Sequence, residues 1–476
     1  MLLMMHWTTH SRRAAACLGA LAVFLASAPF APAQSSRYGP SRIWWEPGQG
    51  GFLPWDESWD NPDGQVTVVN RKGSVQTKDH PFFEALGPNG RACVTCHQPA
   101  NAMSVSTASL RERWIETGGR DPVFAAIDGS NCPDLPQAAA ATHSLLLERG
   151  LFRIALPWPP KNASGAPIEP EFRIEIVRDP TACNTSPVYG LHSQHPSVSV
   201  YRRPRVAANL DQIAAGPEGL HFMADGREPT LETQATSAIL IHEQAKAAPT
   251  PEQLRRIVEF ESQLYAAQGS DVRGGLLSER DGPALLGPDN LAAGKAGGLS
   301  RSPAQTLRLF DTWRKPDGAT DLGLQLEFRA SVARGSEVFF AHEFRNGATA
   351  VTCATCHSAG LTRWMDIGTT TAAAAVNSSP DLPLLRITCD ASAAPHPVLG
   401  RVIYTHDPGR ALISGKCADV GSIVLGQIRG LAARAPYFSN GSARSLREVV
   451  DFYDQRFGIG YTERQKQDLV NFLRVL

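Results

Sequence analysis

Cys93-Val94-Thr95-Cys96-His97 recurs far downstream as Cys353-Ala354-Thr355-Cys356-His357. C-x-x-C-H is a haem attachment pattern. Its two thiols add to the porphyrin vinyl groups, and the histidine that follows at once reaches the iron as proximal ligand. The competing readings are a redox dithiol and half of a zinc site. Neither explains a histidine directly after the second cysteine in both copies. Two covalently bound haem c groups are therefore expected, one on Cys93, Cys96 and His97, the other on Cys353, Cys356 and His357.

Nine cysteines are present, and Cys17 lies in a stretch that reads as a signal peptide over residues 1–33. Arg12 and Arg13 form its positive region, Ala14 to Ala26 its apolar segment, and Ala31-Pro32-Ala33 an A-x-A cleavage site. The expected location is the periplasm, where haem attachment and disulfides are both compatible with export. Four cysteines remain: Cys132, Cys183, Cys389 and Cys417. They allow three pairings. Cys132–Cys183 with Cys389–Cys417 is the expected one, because each bridge then closes a loop within one half.

With 46 basic and 46 acidic residues in 476, the chain has no charge excess that points to nucleic acid. No segment after the signal peptide is apolar and long enough to span a membrane. Each half carries matching signals after its motif. Ser445 stands as a helix N-cap, with Glu448 as a capping box, and Thr230-Leu231-Glu232-Thr233-Gln234 holds the matching place in the first half. Thr250 with Gln253, and Thr462 with Gln465, open an amphipathic closing helix in each half, with Leu264 on the stripe of the first. The expected fold is mainly α, two cytochrome-c-like helical domains with a small β-hairpin insertion in the first. The boundaries are an N-terminal extension at 34–80, a first domain at 81–275 with the insertion at 130–200, a linker at 276–325 and a second domain at 326–476. The hairpin strands would be Leu151 to Leu156 and Phe172 to Ile176, around a turn at Asn162 to Pro167.

The two motifs, with Ala224-Asp225-Gly226-Arg227 after the first and Arg434-Ala435-Pro436-Tyr437-Phe438 after the second, resemble the bacterial di-haem cytochrome c peroxidase and MauG superfamily. The resemblance covers most of the chain outside the N-terminal stretch and the insertion, and is most specific over Ala435 to Tyr453. It implies that the first haem is reactive and the second relays electrons to it. Gln234 falls on the family's glutamine over the reactive iron. Glu243 lies one residue out of register with its glutamate, and His242 stands beside it. Either of that pair would move a proton between peroxide oxygens. Hydrogen peroxide or dioxygen as oxidant, a small electron-donor protein (cytochrome c or cupredoxin), a Ca2+ ion between the domains and a homodimer are also implied. Three positions depart from the family: Ala224 replaces a tryptophan between the haems, Ala238 a proline and Ser439 a histidine.

Aligning Thr230 with Ser445 sets Ala238 against Tyr453. The family draws the distal ligand of the relay haem from the later position, so Tyr453 is expected to bind the second iron, with Met365 as the alternative. A tyrosinate favours ferric iron. Ala238 cannot bind iron, which leaves the first haem open. The family's capping histidine would fall near Tyr201, with His192, His195 and His221 further off. Three functions follow: a peroxidase-type oxidoreductase, a MauG-like or rubber-oxygenase-like oxidation of an organic or protein substrate, and a di-haem electron carrier.

Overall fold

The computed structural model describes residues 43–162, 164–210, 222–295, 303–314, 323–357, 364–366 and 379–476. The signal-peptide stretch and His221 lie outside them, as does the side chain of Met365. Everything from Ser41 onward falls in one compact unit.

The elements that position the motifs are, in chain order, strands β1 (Asp56–Asn61) and β2 (Gly64–Asn70), helices α1 (Cys93–Cys96) and α2 (Thr107–Thr117), and strands β3 (Phe152–Pro157), β4 (Phe172–Arg178) and β5 (Ser197–Arg202). Helices α3 (Leu231–Ile241) and α4 (Pro251–Glu261) follow, then β6 (Leu264–Asp271), α5 (Gly323–Ala341) and α6 (Cys353–His357). Strands β7 (Leu384–Cys389) and β8 (Val402–Thr405) precede the closing helices α7 (Leu446–Phe457) and α8 (Glu463–Arg474).

The fold is mixed α and β, which corrects the mainly α, cytochrome-c-like expectation: the described residues carry six small sheets. The central one runs β1–β2–β6, with Gly275–Leu276 at its edge. Val68 pairs with Ala266 and Val69 with Tyr265. Side chains alternate across a strand, and here the alternation separates two cores. Val66, Val68, Leu264 and Ala266 face the core that holds Cys93, whereas Val69, Tyr265 and Ala267 face the core that holds Cys353. The N-terminal segment thus supplies two strands of the partition between the motifs. Gly269 permits the close approach, since a Cβ there would collide with Thr67 Oγ1.

Leu264 was expected on the stripe of the preceding helix. Helix α4 instead stops at Glu261, and Leu264 opens the buried strand β6. Ala266, Ala267 and Gly269 are poor strand formers in isolation, so long-range pairing with β2 overrides local preference.

The expected hairpin is also corrected. Both strands form, but β3 pairs with β5 and β4 pairs with β7 of the other half. Pro159 and Pro160 stand two and three residues past the end of β3 and offer no N–H, which interrupts the ladder before the turn. Phe172, Ile174 and Ile176 then pack with Leu385, Ile387 and Ile403. The expected disulfides, Cys132–Cys183 and Cys389–Cys417, are both present. The glycine- and proline-rich stretch read as a linker contributes Leu286, Leu291, Phe310 and Trp313 to the core around the second motif.

No helix among the described residues is long and apolar enough to cross a membrane.

Candidate functional site

Each motif is a single helical turn closed by its own threonine. The Ala92 N–H donates to Thr95 Oγ1 at 3.0 Å, and the Thr352 N–H donates to Thr355 Oγ1 at 2.8 Å. The Val94 N–H donates to the Phe82 carbonyl at 3.1 Å, which ties the first turn to its core. His97 Nδ1 lies 3.1 Å from the Met103 carbonyl. A carbonyl only accepts, so Nδ1 carries the proton and the lone pair sits on Nε2, the arrangement of a metal-ligating imidazole. Burial lowers the basicity of His97, so the ring is neutral and able to ligate.

Among the eight cysteines after residue 33, the four in the motifs form no disulfide. Burial pushes the Cys93 thiol well up and the Cys96 thiol to about 12. Redox dithiols do the opposite, lowering a thiol toward the thiolate, so the dithiol reading does not fit. Cys93, Cys96, His97, Cys353 and His357 lie deep in the molecule, and all six motif residues keep accessible surface. Two thiols, one neutral imidazole and an apolar lining that includes Phe82, Val94 and Met103 make a donor set that fits a covalent haem.

His242 and Glu243 both come to the first motif. Helix α3 ends at Ile241, with His242 as its C-cap. His242 Nδ1 lies 2.6 Å from Asp128 Oδ2, and Asp128 is also paired with the buried guanidinium of Arg91. Burial alone would raise the Asp128 carboxyl, but Arg91 and then His242 hold it below the usual carboxylate range. Glu243 is 3% exposed; its Oε2 accepts the Leu86 N–H at 3.0 Å and its Oε1 lies 3.9 Å from Cys93 Sγ. Burial raises this carboxyl to about 7.

Gln234 is not brought together with that pair. It sits eight residues earlier on an unbroken helix, and a rise of about 1.5 Å per residue puts it about 12 Å away along the axis. Alanine at 238 lets α3 run straight through. Nor do the candidate caps reach His97. The Tyr201 hydroxyl donates to the Asn131 carbonyl, and His192 and His195 are exposed.

The second motif has different company. The rings of His357 and Tyr453 stand perpendicular, with centroids 6.3 Å apart. Phe438, Phe452 and Phe457 surround the tyrosine. Burial, then Cys353 and Cys356, push its phenol above the ordinary value, so in the protein alone it stays protonated. The Tyr461 hydroxyl lies 4.0 Å from Cys353 Sγ.

The repeat is visible in the backbone. Met223 and Phe438 both have positive φ, +65° and +68°, and are followed by Gly226 and Gly441 at +65° and +60°. A positive φ is uncommon outside glycine, so the match is specific. Phe222 bridges Glu228, and Tyr437 bridges Ala443, just before the caps Thr230 and Ser445. In this register Tyr453 and Ala238 occupy the same helical position. Ser445 accepts the Glu448 N–H, but Glu448 returns its bond to the Arg444 N–H rather than closing a box.

Asp128 and Arg91 escaped the sequence reading. Neither sits in a motif, and Asp128 is 114 residues from the histidine it holds.

No family model matches the chain, and no curated protein matches it significantly. Among solved structures it is similar to a MauG-like protein associated with microbial copper homeostasis, at 15% sequence identity and a TM-score of 0.28, over 59% of this chain and 74% of that one. A similarity that low carries no functional argument, and the function rests on the chain's own residues.

Proposed function

We propose that the protein is an exported di-haem oxidoreductase of peroxidase type, with haem c on Cys93 and Cys96 ligated by His97, and haem c on Cys353 and Cys356 ligated by His357. The observation that carries the reading is the inequality of the two sites. Tyr453 faces His357, whereas the matching position in the first half is Ala238 and the titratable groups gather at His97 instead. When bound, the haem supplies the redox centre at which hydrogen peroxide is reduced, the first site acting on the oxidant and the second passing on electrons from a small donor protein.

Reduction of one peroxide to two waters consumes two electrons and two protons. His242 and Glu243 are the groups beside the first motif that hold and move protons. Asp128 fixes the His242 ring by accepting a hydrogen bond from its Nδ1. Arg91 keeps Asp128 ionised for that task. Glu243 is half protonated near neutral pH, the condition for exchanging a proton in either direction. At the second site Tyr453 would hold the iron as a phenolate, a ligand that would favour the ferric state and lower the potential.

A second reading, oxidation of an organic or protein substrate, is favoured by one feature. Ala224 leaves no aromatic side chain at the position where the family relays electrons between its haems.

Electron paramagnetic resonance of the ferric protein tests the proposal. One high-spin and one low-spin signal are expected, with Tyr453→Phe altering the low-spin signal alone. Two low-spin signals in the wild type would reduce the protein to an electron carrier.

A further inference from the structure

Arg203, Arg205, Arg429 and Arg434 form a cluster deep in the molecule, and none makes an ion pair with a carboxylate among the described residues. Of the other deeply buried arginines, Arg153 bonds to Ser199 Oγ and the Ile127 carbonyl, whereas two are paired with carboxylates. Arg91 has Asp128, and Arg202 has Asp225 and Asp407 at 2.6 Å each. The four are held by backbone carbonyls instead. Arg203 donates to the carbonyls of Val105 at 2.6 Å, Arg434 at 2.9 Å and Arg149 at 3.1 Å. Arg205 donates to the Leu425 carbonyl, Arg429 to Leu285 at 2.8 Å, and Arg434 to Arg429 at 3.0 Å and to Gln427. A guanidinium has five N–H donors, so most of those on Arg205 and Arg429 remain unused among the described residues.

Like charges are crowded here. Arg434 acts electrostatically on both Arg203 and Arg205, and burial with this repulsion pulls Arg203 down to about 9. A buried guanidinium without a counter-charge is disfavoured, and a group of them calls for anions. Arg205, Arg429 and Arg434 lie deep yet keep accessible surface, which leaves room for a ligand to reach them. They lie where the halves meet. The Thr107 N–H donates to the Ala435 carbonyl, and Asn101 Nδ2 to the Ala433 carbonyl, joining the loop after the first motif to the one that carries Arg434.

We propose that Arg203, Arg205, Arg429 and Arg434 are a carboxylate-binding cluster that takes up the propionate groups of the haems. This inference rests on the di-haem reading. Propionates are the carboxylates a haem brings with it, and guanidinium matches carboxylate in a bidentate fork. The cluster thereby sets how strongly each haem holds its electron, since a nearby positive charge favours the reduced form.

The test is spectroelectrochemical titration of the holoprotein, with covalent haem counted in every sample. Arg434→Met and Arg429→Met should each lower the midpoint potential of at least one haem. The expected change is about tenfold or more in the reduction equilibrium, which is about 59 mV for one electron. Arg434→Lys, which keeps the charge, should restore most of the shift, and the exposed Arg255→Met should move nothing. Should Arg434→Met fail to fold, Arg429→Met and Arg434→Lys still decide. Two covalent haems with unmoved potentials overturn the cluster alone. A wild-type chain without covalent haem overturns the di-haem reading with it.

Discussion

Glu243→Gln replaces a buried carboxyl with a neutral amide of the same shape. The carboxyl's value rises from 4.5 to about 7 on folding, chiefly through burial, and this corresponds to about 3 kcal/mol in favour of the neutral acid. An acid whose folded value exceeds its unfolded one binds more protons in the native state, so stability falls as pH rises between the two. The penalty is absent below about pH 4.5 and complete above about pH 7. Integrated from pH 5 to pH 8, wild-type stability should fall by about 2.5 kcal/mol more than that of Glu243→Gln. Glu261, raised to about 8 by burial, adds a slope of the same sign to both proteins and cancels in the comparison. The assay is guanidinium unfolding followed by far-ultraviolet circular dichroism across that range. Parallel pH curves for the two proteins refute the buried, neutral Glu243.

Asp128→Ala leaves Arg91 buried without its carboxylate, and should cost about 3–5 kcal/mol in the same unfolding assay; a loss under about 1 kcal/mol would mean that the pair is solvated. His242→Ala removes the proton-transfer group that Asp128 orients, and stopped-flow mixing with peroxide should slow by about 10²-fold or more. Unchanged rates would place the proton transfer elsewhere.

The chemistry of the motifs was legible because it is local. Two thiols and a histidine within five residues need no tertiary information, and neither do the caps Thr250, Ser445 and Thr462, which all take their expected places. The sheets were not legible in the same way. The strand character of Leu264–Asp271 comes from pairing with Gly64–Asn70, about 200 residues away, and its alanines and glycine gave no local sign of it. The insertion strands were visible by alternation, but alternation does not name a partner, and β4 found β7 in the other half. The Asp128–His242 contact was hidden by distance along the chain as well. The unpaired arginines could be seen only once their surroundings were known.

Everything functional here depends on two covalent haems per chain. Acid–acetone extraction of the purified protein followed by a pyridine haemochrome assay counts them directly. Two non-extractable haems per chain are expected, falling to one when Cys93 and Cys96 are both replaced by serine. A wild-type count of one, or haem that leaves with the solvent, would contradict the di-haem site.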